Sequence, residues 1–161
     1  MSTVPLVIPY EIAETIRLKK SQYCRFADTH QWAKWRTLFH PHVKARFCNL
    51  DGSVITQDNF TYSFDSVDEL VGFFSKSFET QQAIHVVGPG ELVFTSEEQD
   101  EVRAIWPMIY HAASHDAVGG WGATGGGHYH EVWSVFEGEW VIAELKYVRG
   151  YFKMQGSLDS S

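Results

Sequence analysis

The residues best suited to proton transfer in this chain are its eight histidines, and His85 is the one set in a short apolar stretch, between Ile84 and Val86. An imidazole ordinarily ionises near pH 6.5, so it can take and return a proton at neutral pH. A histidine in such a strand is either a proton carrier or a satisfied structural residue. Asp28 is its natural partner, because a carboxylate beside an imidazole fixes the tautomer. The plainer role for Asp28 is a cap, with Asp28-Thr29-His30 ending one helix and starting the next. Tyr23 is either a donor to a substrate oxygen or a core ring on the face of Ile12 and Ile16. Arg149 binds a carboxylate or phenolate, holds Asp28, or snorkels from the sheet edge to water. Tyr23 and Asp28 lie about 140° apart on an ideal helix. They can share a pocket only if it is wide or the helix distorts near its end.

The remaining chemical patterns are weaker. His128-x-His130, with Glu131, His111 and His115, is similar to a cupin-type ligand set, and Gly122 stands six residues before His128 as that motif asks. The motif also needs a glutamate four or five residues after the second histidine, where Ser134 and Val135 stand. No metal is therefore expected, and a metal-dependent enzyme using His128 and His130 is kept as a second alternative. Gly120-Trp121-Gly122-Ala123-Thr124-Gly125 spells a dinucleotide fingerprint, but a strand follows it instead of a helix. Gly119–Gly127 reads instead as a loop joining two strands. There is no nucleophile elbow and no phosphate loop.

These residues must be positioned by surrounding elements. The apolar spacing of Ile12, Ile16, Tyr23, Phe26 and Ala27 predicts a helix from Glu11 to about Asp28, and a short helix over Gln31 to Leu38 is stopped by His40-Pro41. Val43–Asn49 reads as a strand. Ser66-Val67-Asp68-Glu69 matches a capping box and opens a helix to Phe78. The rest reads as strands at about 83–87, 91–95, 102–115, 128–136 and 140–152, the last two joined at Glu137-Gly138. In the final strand, Val141, Ala143, Leu145, Tyr147 and Arg149 share one face. Parity around His85 and His111 is ambiguous, and Pro107 implies an edge or bulge in its strand. Helices first and strands after predict an α+β domain, a curved antiparallel sheet with N-terminal helices packed on it.

Together these features resemble a known family. Tyr23-Cys24-Arg25-Phe26-Ala27-Asp28, Trp32 and Leu38-Phe39-His40-Pro41-His42-Val43 are similar to the opening of SnoaL-like, nuclear transport factor 2-like domains, with His42 replacing the usual aspartate. Ile84-His85-Val86-Val87-Gly88 looks like the family's strand histidine. Gly127-His128-Tyr129-His130-Glu131-Val132-Trp133 and Glu137-Gly138-Glu139-Trp140-Val141-Ile142 look like its closing hairpin. The pattern is closest to bile acid 7-alpha-dehydratase and scytalone dehydratase-like enzymes. The resemblance implies a cone-shaped fold and cofactor-free acid–base chemistry. Tyr23, Asp28, His85 and Arg149 occupy the places of that family's catalytic residues. A second catalytic histidine matches His111, His130 or neither. The substrate pocket is expected to include Trp106, Tyr110, His111, His130 and Tyr147. The implied activity is a dehydratase, isomerase or cyclase acting on a polyketide- or terpenoid-like molecule. The alternative is a non-catalytic binding or dimerisation module of the same fold.

Composition bounds the rest. The 161 residues suit one domain, with an ordered core expected over about 8–154 and loose ends at the first few residues and Gln155–Ser161. A net charge of −7 argues against nucleic acid or anionic membrane as partner, leaving a small-molecule substrate. Cys24 and Cys48 are too few for a disulfide framework, and Met1–Tyr10 shows no signal-peptide pattern, so a cytoplasmic protein is expected. Aromatic residues make up 15% and either line a pocket or add to the core; the family resemblance, with aromatic strand residues that one small domain does not fully cover, implies a homodimer or homotrimer.

Overall fold

A computed structural model describes residues 7–116 and 118–156. Of the loose ends expected at the first few residues and over Gln155–Ser161, residues 1–6 and 157–161 lie outside them, whereas Gln155 is paired with Gly122 at the end of the last strand. Helix α1 (Tyr10–Asp28) starts directly after Pro9 and buries Ala13, Ile16, Tyr23, Phe26 and Ala27. It closes on two bonds: the His30 N–H donates to Ala27 O (3.1 Å) and the Gln31 N–H to Phe26 O (2.7 Å). His30 takes a left-handed φ of 55°, which makes this a Schellman closure on a residue other than glycine.

α2 (Trp32–Arg36) is shorter than the expected helix. His40-Pro41 does not merely stop it, since both residues already belong to strand β1 (Phe39–Cys48). Leu38 O accepts the Ile142 N–H at 2.9 Å, so sheet pairing claims the chain as soon as the helix ends. Short strands β2 (Thr56–Gln57), β3 (Phe60–Thr61) and β4 (Ser63–Phe64) lead to α3 (Val67–Ser77). Ser66 Oγ accepts the Glu69 N–H at 3.2 Å. Glu69 in return accepts from the Asp65 N–H at 2.7 Å, one residue further back than a standard capping box. A single 3₁₀ turn (Phe78–Thr80) leads into β5 (Gln81–Val87), β6 (Glu91–Phe94), β7 (Glu101–Ser114), β8 (Gly122–Phe136) and β9 (Glu139–Gln155).

The main sheet runs β4-β1-β9-β8-β7-β5, with β6 also on β7. It is antiparallel except for β1 and β9, which pair in parallel. Pro107 lies where the partner of β7 changes from β5, ending at Val87↔Met108, to β6, beginning at Glu91↔Ile105. The inner face of the curved sheet packs against the helices, and Trp133, Ile142, Leu145 and Val102 are fully buried there. Burying each such side chain stabilises the fold by roughly 1.5–3 kcal/mol.

Two expectations are corrected. Gly122–Gly127 is not a loop but the first half of β8, paired on both sides. A Cβ on Gly125 would meet the Tyr110 ring and hydroxyl at 2.5–2.6 Å, so the missing side chain lets that ring lie across the strand. The parity of β9 is also broken. Register shifts leave Ala143 and Gly150 as extra residues, so Ile142 faces Trp133 while Leu145 and Tyr147 face Glu131 and Tyr129. Leu145, Tyr147 and Arg149 share the inner face as expected. Val141 and Ala143 do not, because the bulge shifts the alternation by one residue.

Candidate active site

Alternation along β5 turns Ala83, His85 and Val87 inward and leaves Ile84 and Val86 more than half exposed outside. His85 is paired with Tyr110 on β7. The Schellman turn ends α1 where Asp28 meets β5, and both carboxylate oxygens bind one residue. Oδ2 accepts the His85 backbone N–H at 2.9 Å, and Oδ1 contacts Nδ1 at 2.5 Å. Asp28 is thus not a cap. A carboxylate only accepts, so Nδ1 carries a proton, and in the neutral imidazole it is Nε2 that keeps the lone pair. The imidazole lies between the rings of Phe78 and Tyr110, with centroids 6.3 and 5.6 Å away. Its side chain is 16% exposed, against 8% for Asp28.

His85 stands in the wall of a cavity of about 760 Å³. Aromatic rings dominate that wall, among them Phe47, Tyr62, Phe74, Phe78 and Tyr110. An inner recess of about 50 Å³ shares His85, Phe78 and Tyr129 with the cavity and adds Tyr23 and Trp35. Here the angular conflict between Tyr23 and Asp28 resolves. Asp28 reaches His85 from the helix end, while Tyr23 lines the recess and is a core ring as well, touching Trp35, Phe39 and Tyr129. Burial pushes the Tyr23 and Tyr129 hydroxyls far above the ordinary tyrosine range, so both stay neutral donors. Arg149 lines the cavity too. It donates to Asn49 Oδ1 at 2.8 Å and lies 4.8 Å from the Phe152 centroid, so it does not hold Asp28.

Of the residues expected in a substrate pocket, Tyr110 and Tyr147 line this cavity. Trp106, His111 and His130 do not. Trp106 is core, its indole donating to Glu131 at 2.9 Å. His111 and His130 are exposed on the outer face, because β7 and β8 alternate Tyr110 and Tyr129 inward and their neighbours outward. His128 is exposed outside as well, and among the described residues no group of three His, Cys, Asp or Glu side chains could hold a metal ion.

One buried ion pair escaped the sequence reading, which weighed Glu131 only with the cupin-type set and did not single out Lys20. Lys20 and Glu131 are both 0% exposed and paired. The other Glu131 oxygen accepts the indoles of Trp106 and Trp133 at 2.9 Å each. Lys20 Nζ also lies 3.8 and 3.6 Å from the Tyr23 and Tyr129 ring centroids, directly behind the recess. The signal was present: Lys20 falls on the Ile16–Tyr23 stripe, and Glu131 alternates with Tyr129 and Trp133.

Residues 10–146 match the SnoaL-like domain. The chain is 41% identical to the Gibberella zeae protein named probable cyclase FGR4 over 149 residues, covering 92% of this chain and 98% of that one. A scytalone dehydratase-like protein from Novosphingobium aromaticivorans shares the fold with a TM-score of 0.70 at 10% identity, covering 92% and 93% of the two chains. A type 2 hexachlorocyclohexane dehydrochlorinase (LinA) gives 0.71 at 12% identity, covering 92% and 91%. No helix among the described residues is long and apolar enough to cross a membrane.

Proposed function

This chain belongs to the SnoaL-like domain family, and on that premise we propose that it is a cofactor-independent cyclase or dehydratase acting on a small, largely apolar polyketide- or terpenoid-like metabolite. One observation carries the reading: Asp28 grips His85 with both oxygens, and His85 stands in the wall of an aromatic cavity. The 41% identity to a probable cyclase supports the reaction class. A cavity of about 760 Å³ with a basic nitrogen in its wall favours an enzyme over a filled, non-catalytic module.

In this reading Nε2 takes a proton from an acidic C–H or O–H of the substrate. The bonding pair moves into the substrate, either closing a ring or expelling a hydroxyl. The imidazolium Asp28 stabilises then returns the proton, to the oxygen formed in cyclisation or to the departing hydroxyl, which leaves as water. No oxidant or reductant is consumed. Arg149 and the neutral tyrosines polarise the substrate oxygen. Positioned acid–base catalysis contributes about 10²–10⁴ in rate, and orientation within the ring-lined cavity supplies more.

The test is a panel of polyketide and terpenoid intermediates incubated with the protein and followed by mass spectrometry, then repeated with variants. His85→Ala and Asp28→Asn should each lower turnover by about 100-fold or more. The double variant should fall little below the worse single one, since the two act as a unit. Near-wild-type turnover in His85→Ala overturns the proposal.

A further inference from the structure

The proton chemistry above leaves the Tyr147 hydroxyl unused. Tyr147 is 5% exposed and turned inward on β9, and its hydroxyl has no hydrogen-bond partner among the described residues. Buried polar groups in folded proteins are almost always paired, and an unmade bond at such a depth is costly. The residue itself belongs to the cavity wall. Arg149 follows on the same inner face and lines the same cavity. Its positive charge opposes the effect of burial on the hydroxyls of Tyr62, Tyr110 and Tyr147, which line the same cavity. Tyr110 also stacks on His85, so its ring connects the two ends of the site. Asp58, exposed at the rim, is the one carboxylate among the residues lining the cavity.

We propose that the Tyr147 hydroxyl and the Arg149 guanidinium form a binding pole for a single anionic oxygen, of the enolate or phenolate type, on the substrate. The inference rests on reading the cavity as the substrate site, but not on the roles of His85 and Asp28. Arg149 supplies the charge, and its position is fixed by Asn49 and Phe152. Tyr147 supplies one neutral donor. A carboxylate prefers both prongs of a free guanidinium, and one terminal nitrogen of Arg149 already donates to Asn49. The neighbouring Phe47, 6.0 Å from the Tyr147 ring, and Phe152 keep the pole apolar, which strengthens a charge-assisted bond.

The test reads binding without turnover, so its failure and that of the acid–base mechanism are distinguishable. The probe is 4-nitrophenol, whose phenol and phenolate absorb at different wavelengths, compared with 4-nitroanisole, which cannot ionise, and with 4-nitrobenzoate. Wild-type protein should bind the phenolate form in preference to the ether and shift the bound probe towards ionisation. Tyr147→Phe should weaken phenolate binding by about tenfold or more and leave the ether unchanged. Its ligand-free melting temperature should stay equal or rise, because an unpartnered hydroxyl has been removed. Arg149→Gln should abolish the preference for the phenolate. Equal effects on both neutral and ionised probes overturn the proposal, as do a lowered melting temperature in Tyr147→Phe, no phenolate binding at millimolar concentration, or tighter binding of 4-nitrobenzoate than of the phenolate.

Discussion

Removing the ammonium of Lys20 should destabilise this protein more than almost any other single polar change. Lys20→Met keeps the length and apolar character of the side chain, so little packing is lost. What remains is Glu131, 0% exposed, with two indole donors at 2.9 Å and no cation. Breaking one side of a buried pair costs about 3–5 kcal/mol. At roughly 2–4 °C per kcal/mol for a chain of this size, the melting temperature should fall by about 6–20 °C. The reverse change should cost less. In Glu131→Gln the ammonium keeps the faces of Tyr23 and Tyr129, at 3.8 and 3.6 Å, and a desolvated cation–π contact is worth up to about 2 kcal/mol. The amide oxygen of glutamine can still accept both indoles. The double variant Lys20→Met/Glu131→Gln should therefore recover much of what Lys20→Met alone loses. Urea unfolding followed by tryptophan fluorescence measures all three, and Trp106 and Trp133 report directly from the pair. A loss below about 1 kcal/mol in Lys20→Met, or simple additivity in the double variant, would refute the reasoning.

Stability should also fall at alkaline pH. Burial raises the Tyr23 and Tyr129 phenols above their unfolded value near 10, so above that pH the unfolded chain loses protons that the folded chain keeps. The contribution is whole below about pH 10 and declines by about 1.4 kcal/mol per pH unit per tyrosine above it. Urea midpoints between pH 9 and 11 measure the slope, and Tyr23→Phe should lower it by one tyrosine's share, since burial raises Tyr62, Tyr110 and Tyr147 as well; a flat profile counts against the burial argument. The outer sheet face exposes Ile84, Val86 and Ile109 at 54–58%, a surface suited to a second copy of the chain. Light scattering should give a multiple of 18.4 kDa, and Ile109→Glu should reduce it to one chain; a single-chain mass for the wild type would end this expectation.

The sequence disclosed what short-range periodicity controls. The α1 stripe from Ile16 to Ala27 and the Ser66–Glu69 cap appear nearly as expected, because a helix face and a cap are settled within a few residues. Errors arose where distant pairing decides. Ala143 becomes an extra residue only because of how β9 pairs with β8, and no local pattern marks it. The outward placement of His111 and His130 follows from the inward placement of Tyr110 and Tyr129, but parity needs an anchor that the sequence left ambiguous. The glycines from Gly122 to Gly127 suggested a loop because glycine punctuates chains; here at least one of them makes room for a ring. Lys20 and Glu131 are 111 residues apart, and a lone charge on an apolar stripe looks like a snorkelling side chain until its partner is known.

β5 is the last strand in its sheet, and its outward N–H groups are the kind of free ladder that recruits foreign strands. Asp28 Oδ2 occupies one of them, at His85. The carboxylate that orients the imidazole thus also guards the sheet against edge-to-edge aggregation. Asparagine at this position would keep that guard, whereas alanine would unseal it. On the proposed function, solubility and chemistry should constrain the same side chain, and a library that scores only one of them would misjudge which substitutions position 28 tolerates.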